Sequence, residues 1–206
     1  MTMLDGFADD VQRVTELHAG QTREITGEPY VTHPISVAVR LQRLGLDDRT
    51  VLTGLYHDVL EDTALTEEQL ANIHPDLDLP VALVSHDETR DENSRVRNMR
   101  TLLTLVASRE SDLIRDPDEL RRRRVAAYTF LADKVDNSSA VSELIAGGHG
   151  AEVETTFNLA DKFWWWETVL TTMRVADWLE LGEAGRSLMS DLEIQLAALR
   201  TVVPRV

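Results

Sequence analysis

Apolar residues along this chain recur mostly at intervals of three and four, and strand-like alternation is scarce. The pattern predicts an all-α fold. A first helix covers about residues 5–19, and a loop with Gly27, Glu28 and Pro29 follows. Pro34 suits the first turn of a second helix over about 34–44. Gly45 stops it, and Asp47 or Asp48 caps a third over about 49–61. Thr66-Glu-Glu-Gln69 has the form of a capping box and opens a short helix ending near His74-Pro75. Residues 80–95 are ambiguous, with Ser85 to Glu92 a loop or a helix end. Further helices are predicted over about 94–109, 118–146, 151–181 and 184–201. Gly147-Gly148-His149-Gly150 interrupts them as a turn within one domain spanning residues 1–206.

The third of these helices carries an unusual stretch, Leu55-Tyr56-His57-Asp58-Val59-Leu60-Glu61-Asp62-Thr63. On a continuous helix His57, Glu61, Asp58 and Asp62 lie at about 0°, 40°, 100° and 140°. Leu52, Leu55, Tyr56, Val59 and Leu60 fill the opposite arc. One face is then acidic and the other is core. A solvated acidic helix end would look similar. A histidine beside an aspartate inside an apolar run, however, also offers a nitrogen and an oxygen to a divalent cation. Glu61 and Asp62, one turn on, would reach a water at that cation.

Composition narrows the partners. The chain has 206 residues, 43% of them hydrophobic, which suffices for one core. Lys and Arg number 21 against 36 Asp and Glu, a formal charge of −15. That argues against DNA or an anionic membrane as the main partner. A phosphorylated small molecule stays open, because a metal and a few arginines make a locally positive pocket. With no cysteine, disulfides and thiolate metal sites are excluded. No apolar window is long enough for a membrane span, and Met-Thr-Met-Leu-Asp-Gly has no signal-peptide pattern. A cytoplasmic protein is the expectation.

Three patches could converge on the third helix. His33, in Thr32-His33-Pro34, sits on a backbone fixed by the proline; it reads either as an inward ligand or as a packed or capping histidine. Asp133 and Asn137 share a helix face in Leu131-Ala132-Asp133-Lys134-Val135-Asp136-Asn137. A carboxylate bordered by apolar residues needs a salt bridge or a metal. Arg23 either binds phosphate or is exposed. Arg121-Arg122-Arg123-Arg124 is the densest cationic cluster, but a helix spreads four consecutive residues around its axis. It reads first as a solvated face paired with Asp116, Asp118 and Glu119. His18, His74, His86 and His149 lack partners in recognisable spacing and read as structural or surface residues.

Taken together, the order His, His-Asp, distant Asp resembles the HD phosphohydrolase superfamily. The surrounding words, Gly27-Glu-Pro-Tyr30-Val-Thr-His33-Pro34, then Leu44-Gly45, then His57-Asp58-Val-Leu-Glu61-Asp62-Thr63, then Leu131-Ala132-Asp133-Lys134-Val-Asp-Asn137, are similar to the hydrolase domain of RelA/SpoT enzymes. The likeness covers roughly residues 10–145, and the length resembles stand-alone small alarmone hydrolases. The Trp164-Trp165-Trp166 run resembles a helix that often closes this domain, with tryptophans packed on the bundle. The resemblance implies an HD-domain bundle of about eight to ten helices. It implies a metal-dependent hydrolase, usually with Mn²⁺ (Zn²⁺ or Fe²⁺ also suit the donors), that removes pyrophosphate from the 3′ position of ppGpp or pppGpp. It makes His33, His57, Asp58 and Asp133 the metal ligands and Glu61 and Asp62 the acidic pair that orients and deprotonates water. Arg23, Tyr30 and Asn137 would contact the nucleotide.

Four departures from the family all touch substrate contacts. Three residues, where two are common, separate Arg23 from Gly27. Ser85-His-Asp-Glu-Thr-Arg90 stands where a Val-Thr-Lys segment is usual, with Arg90 as a candidate replacement for the phosphate-binding lysine. Phe130 stands where a lysine precedes Leu-Ala-Asp, and Ser138-Ser139 follows Asn137 in place of Leu-Arg. Two other readings therefore remain. One is an HD phosphohydrolase for another nucleotide, such as an adenine alarmone, NADPH or a nucleoside monophosphate. The other is a non-catalytic regulator or antitoxin, against which the intact Glu61-Asp62 pair speaks.

Overall fold

The structure, a computed structural model, describes residues 4–24, 26–86, 93–107 and 116–202. These form an all-α bundle of eleven helices: α1 Leu4–Leu17, α2 Thr32–Arg43, α3 Asp48–Tyr56, α4 Val59–Asp62, α5 Glu67–Ile73, α6 Asp78–Val84, α7 Ser94–Val106, α8 Pro117–Ala146, α9 Gly150–Phe157, α10 Leu159–Val175 and α11 Gly182–Leu199. A 3₁₀ turn, Asp177–Leu179, joins the last two. Taking α3 and the single-turn α4 as one interrupted helix gives ten, within the expected range. The described residues hold one isolated antiparallel bridge, Thr22 to Pro29, and no strand. None of the described helices is long and apolar enough to cross a membrane.

The 30-residue α8 is the axis of the bundle, and α2, α3, α6 and α11 pack around it. It buries Ala126, Ala127, Phe130, Leu131, Ala132 and Val135, so its small and branched positions face core on several sides. Across from it, α2 supplies Val37, Ala38 and Leu41, and α3 supplies Val51, Leu55 and Tyr56. The close fit of α2 on α3 depends on Gly54. A Cβ there would lie 2.5 Å from Leu41 Cδ1, well inside van der Waals contact.

Several local readings are borne out with their chemistry. Asp47 caps α3, its side chain accepting the Thr50 N–H at 3.0 Å. Thr66 and Gln69 form both halves of the capping box. Pro117 occupies the first turn of α8, behind the Asp116 cap. Part of the ambiguous 80–95 segment is helical, since α6 runs to Val84 and ends where Ser85 Oγ bonds back to the Val81 carbonyl at 2.9 Å.

Two predicted helices are broken. The helix expected over 49–61 stops at Tyr56, turns through His57 and Asp58, and restarts as α4. The His57 ring bonds the Gly54 carbonyl, and Asp58 takes φ −97° and ψ −5° at the head of the new turn. The helix expected over 151–181 is three segments. Asn158 adopts φ 41°, a left-handed conformation that asparagine tolerates, and its side chain caps α10 through the Asp161 N–H.

Candidate active site

The break between α3 and α4 shapes the site. His57 is buried, and its Nδ1 lies 2.8 Å from the Gly54 carbonyl, so Nδ1 carries the proton and Nε2 carries the lone pair. That Nε2 is fully buried and has no hydrogen-bond partner. It faces Asp58 Oδ2 at 3.1 Å, an acceptor opposite an acceptor. Proline sets the backbone of the first turn of α2 and brings His33 to the same place. The two imidazoles are edge to face, with centroids 5.0 Å apart. His33 Nε2 lies 3.6 Å from Asp58 Oδ2 and 3.2 Å from Asp133 Oδ1.

Three of the four expected ligands, His33, His57 and Asp58, thus present atoms all within 4.8 Å of one another. Asp133 joins them from α8 through its contact with His33. Two imidazole nitrogens with carboxylate oxygens suit a borderline divalent cation. The orphaned Nε2 of His57 is the atom such a cation would satisfy, so the residues present fit the metal.

The electrostatics agree with an anionic nest built for positive charge. Burial disfavours a charge on His33, yet hydrogen bonds to Asp133 and Asp136 and the nearby Asp58 push it up to about 9. Burial also opposes ionisation of Asp133, but Lys134 and His33 hold it well below the usual carboxylate range. Glu61 goes the other way. Burial, then repulsion from Asp58, pushes it up to about 8, although the His86 backbone N–H donates to its Oε1 at 2.5 Å. The Tyr30 hydroxyl donates to Asp58 Oδ2 at 2.8 Å, and burial and the flanking carboxylates hold its phenol protonated.

The remaining expected residues are placed as follows. Asp62 is exposed beside Tyr30, and its backbone carbonyl accepts Gln21 Nε2 at 2.5 Å. Arg23 is buried, bonding Asp136 at 3.1 Å and Asn137 at 3.0 Å, so the exposed reading does not hold. Asn137 also donates to Asp133. Arg90 lies outside the described residues. The arginine cluster is spent elsewhere: Arg121 pairs with Asp47, Arg122 and Arg123 with Glu119, and Arg124 with Glu180. Glu119 belongs to the expected set of partners, and Asp47 and Glu180 come from outside it.

Other contributors escaped sequence reasoning. A cavity of about 160 Å³ opens beside the cluster, lined by His86, Asn98, Lys134, Asn137, Lys162 and Trp165 among others. His86, read as a structural or surface residue, donates its main chain to Glu61, and burial pushes its imidazole down to about 4. The expected packing of the tryptophans holds for Trp165 and Trp166, while Trp164 is partly exposed under Arg95. Phe130 lies under the Lys134 ammonium at 4.4 Å and meets Trp165 edge to face. A positive charge is therefore present beside Asp133, supplied one residue after it. A larger groove of about 530 Å³ between α10 and α11 has Trp164, Arg174 and Arg200 in its lining and none of the candidate ligands.

Comparison with known proteins points the same way. Residues 11–89 match the HD domain family. A guanosine-3′,5′-bis(diphosphate) 3′-pyrophosphohydrolase of Haemophilus influenzae is 37% identical over 134 residues, covering 56% of this chain and 20% of the relative. Its namesake from Aquifex aeolicus is 45% identical over 67 residues, 31% of this chain and 10% of the relative. The chain thus spans only a tenth to a fifth of these curated relatives. Among solved structures, a metazoan ortholog of SpoT that hydrolyzes ppGpp shares the fold at TM-score 0.68 and 22% identity, over 95% of this chain and 94% of that one. The HD domain match falls on the stretch that carries His33, His57 and Asp58, the fold is shared almost end to end with the solved SpoT ortholog, and the chain is similar to HD phosphohydrolases of the SpoT type.

Proposed function

We propose that the protein is a divalent-metal-dependent phosphohydrolase that removes pyrophosphate from the 3′ position of ppGpp or pppGpp, leaving GDP or GTP. The observation that carries this reading is the buried, unpartnered Nε2 of His57, set among His33 and Asp58 with Glu61 one turn beyond. His33, His57, Asp58 and Asp133 would hold the cation, and their mixed nitrogen and oxygen donors suit Mn²⁺. When bound, the metal lowers the pKa of water and offsets phosphate charge.

The chain's own residues do the rest. The His86 N–H fixes one oxygen of Glu61 and leaves Oε2 free to take a proton. Burial and the nearby Asp58 make this carboxylate more basic than an ordinary one, which suits it to accept a proton from water. Asp62, exposed at the same helix end, would orient water or substrate. Lys134, Lys162 and Asn137 line the adjacent cavity and supply the cations and the amide that a phosphorylated ribose needs. At about 160 Å³ the cavity is smaller than the roughly 300–1,000 Å³ of a whole-ligand cleft, so it takes one arm of the nucleotide. We place this chemistry in the cytoplasm, where the nucleotide pool lies, and treat residues 1–206 as one hydrolase unit.

The test is an assay of the Mn²⁺-loaded protein against ppGpp, pppGpp, an adenine alarmone, NADPH and nucleoside monophosphates. Pyrophosphate release from ppGpp supports the reading, and turnover confined to another nucleotide moves the substrate within the same chemistry. A protein that binds metal and nucleotide but turns over none of them is a regulator.

A further inference from the structure

Asp136 was no part of the expected site, yet it is wired into it. It lies on α8 three residues after Asp133 and is only 7% exposed. Its Oδ2 sits 2.7 Å from Nδ1 of His33 and 3.1 Å from a guanidinium nitrogen of Arg23. The other terminal nitrogen of Arg23 donates to Asn137 Oδ1 at 3.0 Å, and Asn137 donates onward to Asp133. One buried guanidinium therefore braces both the carboxylate behind His33 and the amide beside Asp133. A buried ion pair is costly to keep unless its geometry is well satisfied, and here His33 bonds the carboxylate and Asn137 the guanidinium.

We propose that Asp136 is a positioning residue for the metal centre: it accepts a hydrogen bond from the Nδ1–H of His33, so the ring turns Nε2 towards Asp58 and Asp133, and Arg23 holds the carboxylate in place. The inference rests on the metal reading above. It also gives Arg23 a different task from the nucleotide contact expected of it, since its guanidinium is already spent on Asp136 and Asn137. A carboxylate hydrogen-bonded to the far nitrogen of a ligand histidine fixes the tautomer and strengthens the donor. Its loss typically weakens metal binding about 10- to 100-fold.

The experiment titrates Mn²⁺ calorimetrically into the wild type, Asp136→Asn, Asp136→Ala and Arg23→Met, with circular dichroism to confirm folding. In parallel, imidazole NMR of the Zn²⁺-loaded protein follows the His33 Nδ1–H, assigned by its absence in His33→Gln. The expected result is a loss of about 10-fold in Mn²⁺ affinity for Asp136→Asn and more for Asp136→Ala. Turnover of Asp136→Asn should be largely restored at saturating metal. The hydrogen-bonded Nδ1–H signal should be present in the wild type and lost in Asp136→Ala. If Asp136→Ala does not fold, Asp136→Asn keeps the shape and an acceptor oxygen and carries the test.

Wild-type affinity in folded Asp136 variants overturns the positioning role and leaves the metal reading standing. A wild type that binds no divalent cation removes both. Arg23→Met should lose Mn²⁺ affinity with KM unchanged at saturating metal. A raised KM with wild-type metal affinity would overturn the brace and return Arg23 to the nucleotide.

Discussion

His57 Nδ1 lies 2.8 Å from the carbonyl oxygen of Gly54, and this one bond both marks the end of α3 and aims the other ring nitrogen at His33 and Asp58. Gly54 serves the same site from its other side, since the missing Cβ lets α2, the carrier of His33, approach α3. A candidate ligand histidine, the residue that orients it and the helix contact that brings the second histidine are thus packed into four residues.

Gly54→Ala tests that packing. The new methyl would meet Leu41 Cδ1 at 2.5 Å and Val37 Cγ1 at 3.3 Å, both buried, so the Leu41 side chain or α2 itself must shift. Overpacking of this kind costs about 1–3 kcal/mol. Urea unfolding should show that loss as a lowered midpoint. An unchanged midpoint would mean that the α2–α3 contact has slack.

Metal binding should appear as stability. Mn²⁺ at about a hundred times its dissociation constant should add about 2.7 kcal/mol, or roughly 5–10 °C in Tm for a chain of this size. His57→Ala should fold and lose the shift, and EDTA should remove it from the wild type. An equal Mn²⁺ shift in His57→Ala would place the cation elsewhere.

Acid stability should depend on Asp10, remote from the motif residues. Its Oδ1 accepts the Tyr56 hydroxyl at 2.7 Å and lies 2.6 Å from His74 Nε2. Burial works against its charge, but the bonds from His74 and Tyr56 win and hold its pKa below the ordinary 3.8. A carboxyl depressed in the folded state contributes stability that is fully present above its unfolded pKa and is lost as pH falls through the folded one. Asp10→Asn should therefore be less stable than the wild type by about 1–3 kcal/mol at pH 6. The gap should narrow at and below pH 3.8. Urea midpoints at several pH values would show a constant gap if the Asp10 charge had no part in it.

Much of this architecture is legible in the sequence, for reasons visible in individual residues. Apolar spacing located most of the helices, and the Thr66–Gln69 and Asp47 caps were legible because their chemistry is local. The meeting of His33, His57, Asp58 and Asp133 was legible because each sits in a word with its own surroundings. What escaped depends on long-range or main-chain contacts. Periodicity does not register the turn at His57-Asp58, because both residues keep right-handed helical dihedrals while a side chain takes the Gly54 carbonyl. It is equally blind to a left-handed Asn158. His86 reaches Glu61 through its backbone N–H, 25 positions away, and nothing in its side chain announces that. The role of Asp136 depends on Arg23, 113 positions earlier, which no local pattern connects to it.

Hydrolysis at the Glu61-bearing site is tested by comparing pyrophosphate release from ppGpp by the Mn²⁺-loaded wild type and Glu61→Gln. The amide keeps the size of the side chain but cannot hold the proton at Oε2. The wild type should yield pyrophosphate and GDP, and Glu61→Gln should lose about 10²- to 10⁴-fold in kcat while retaining Mn²⁺ affinity. Equal turnover by the two proteins, or no pyrophosphate from a wild type shown to bind Mn²⁺, would contradict hydrolysis at this site.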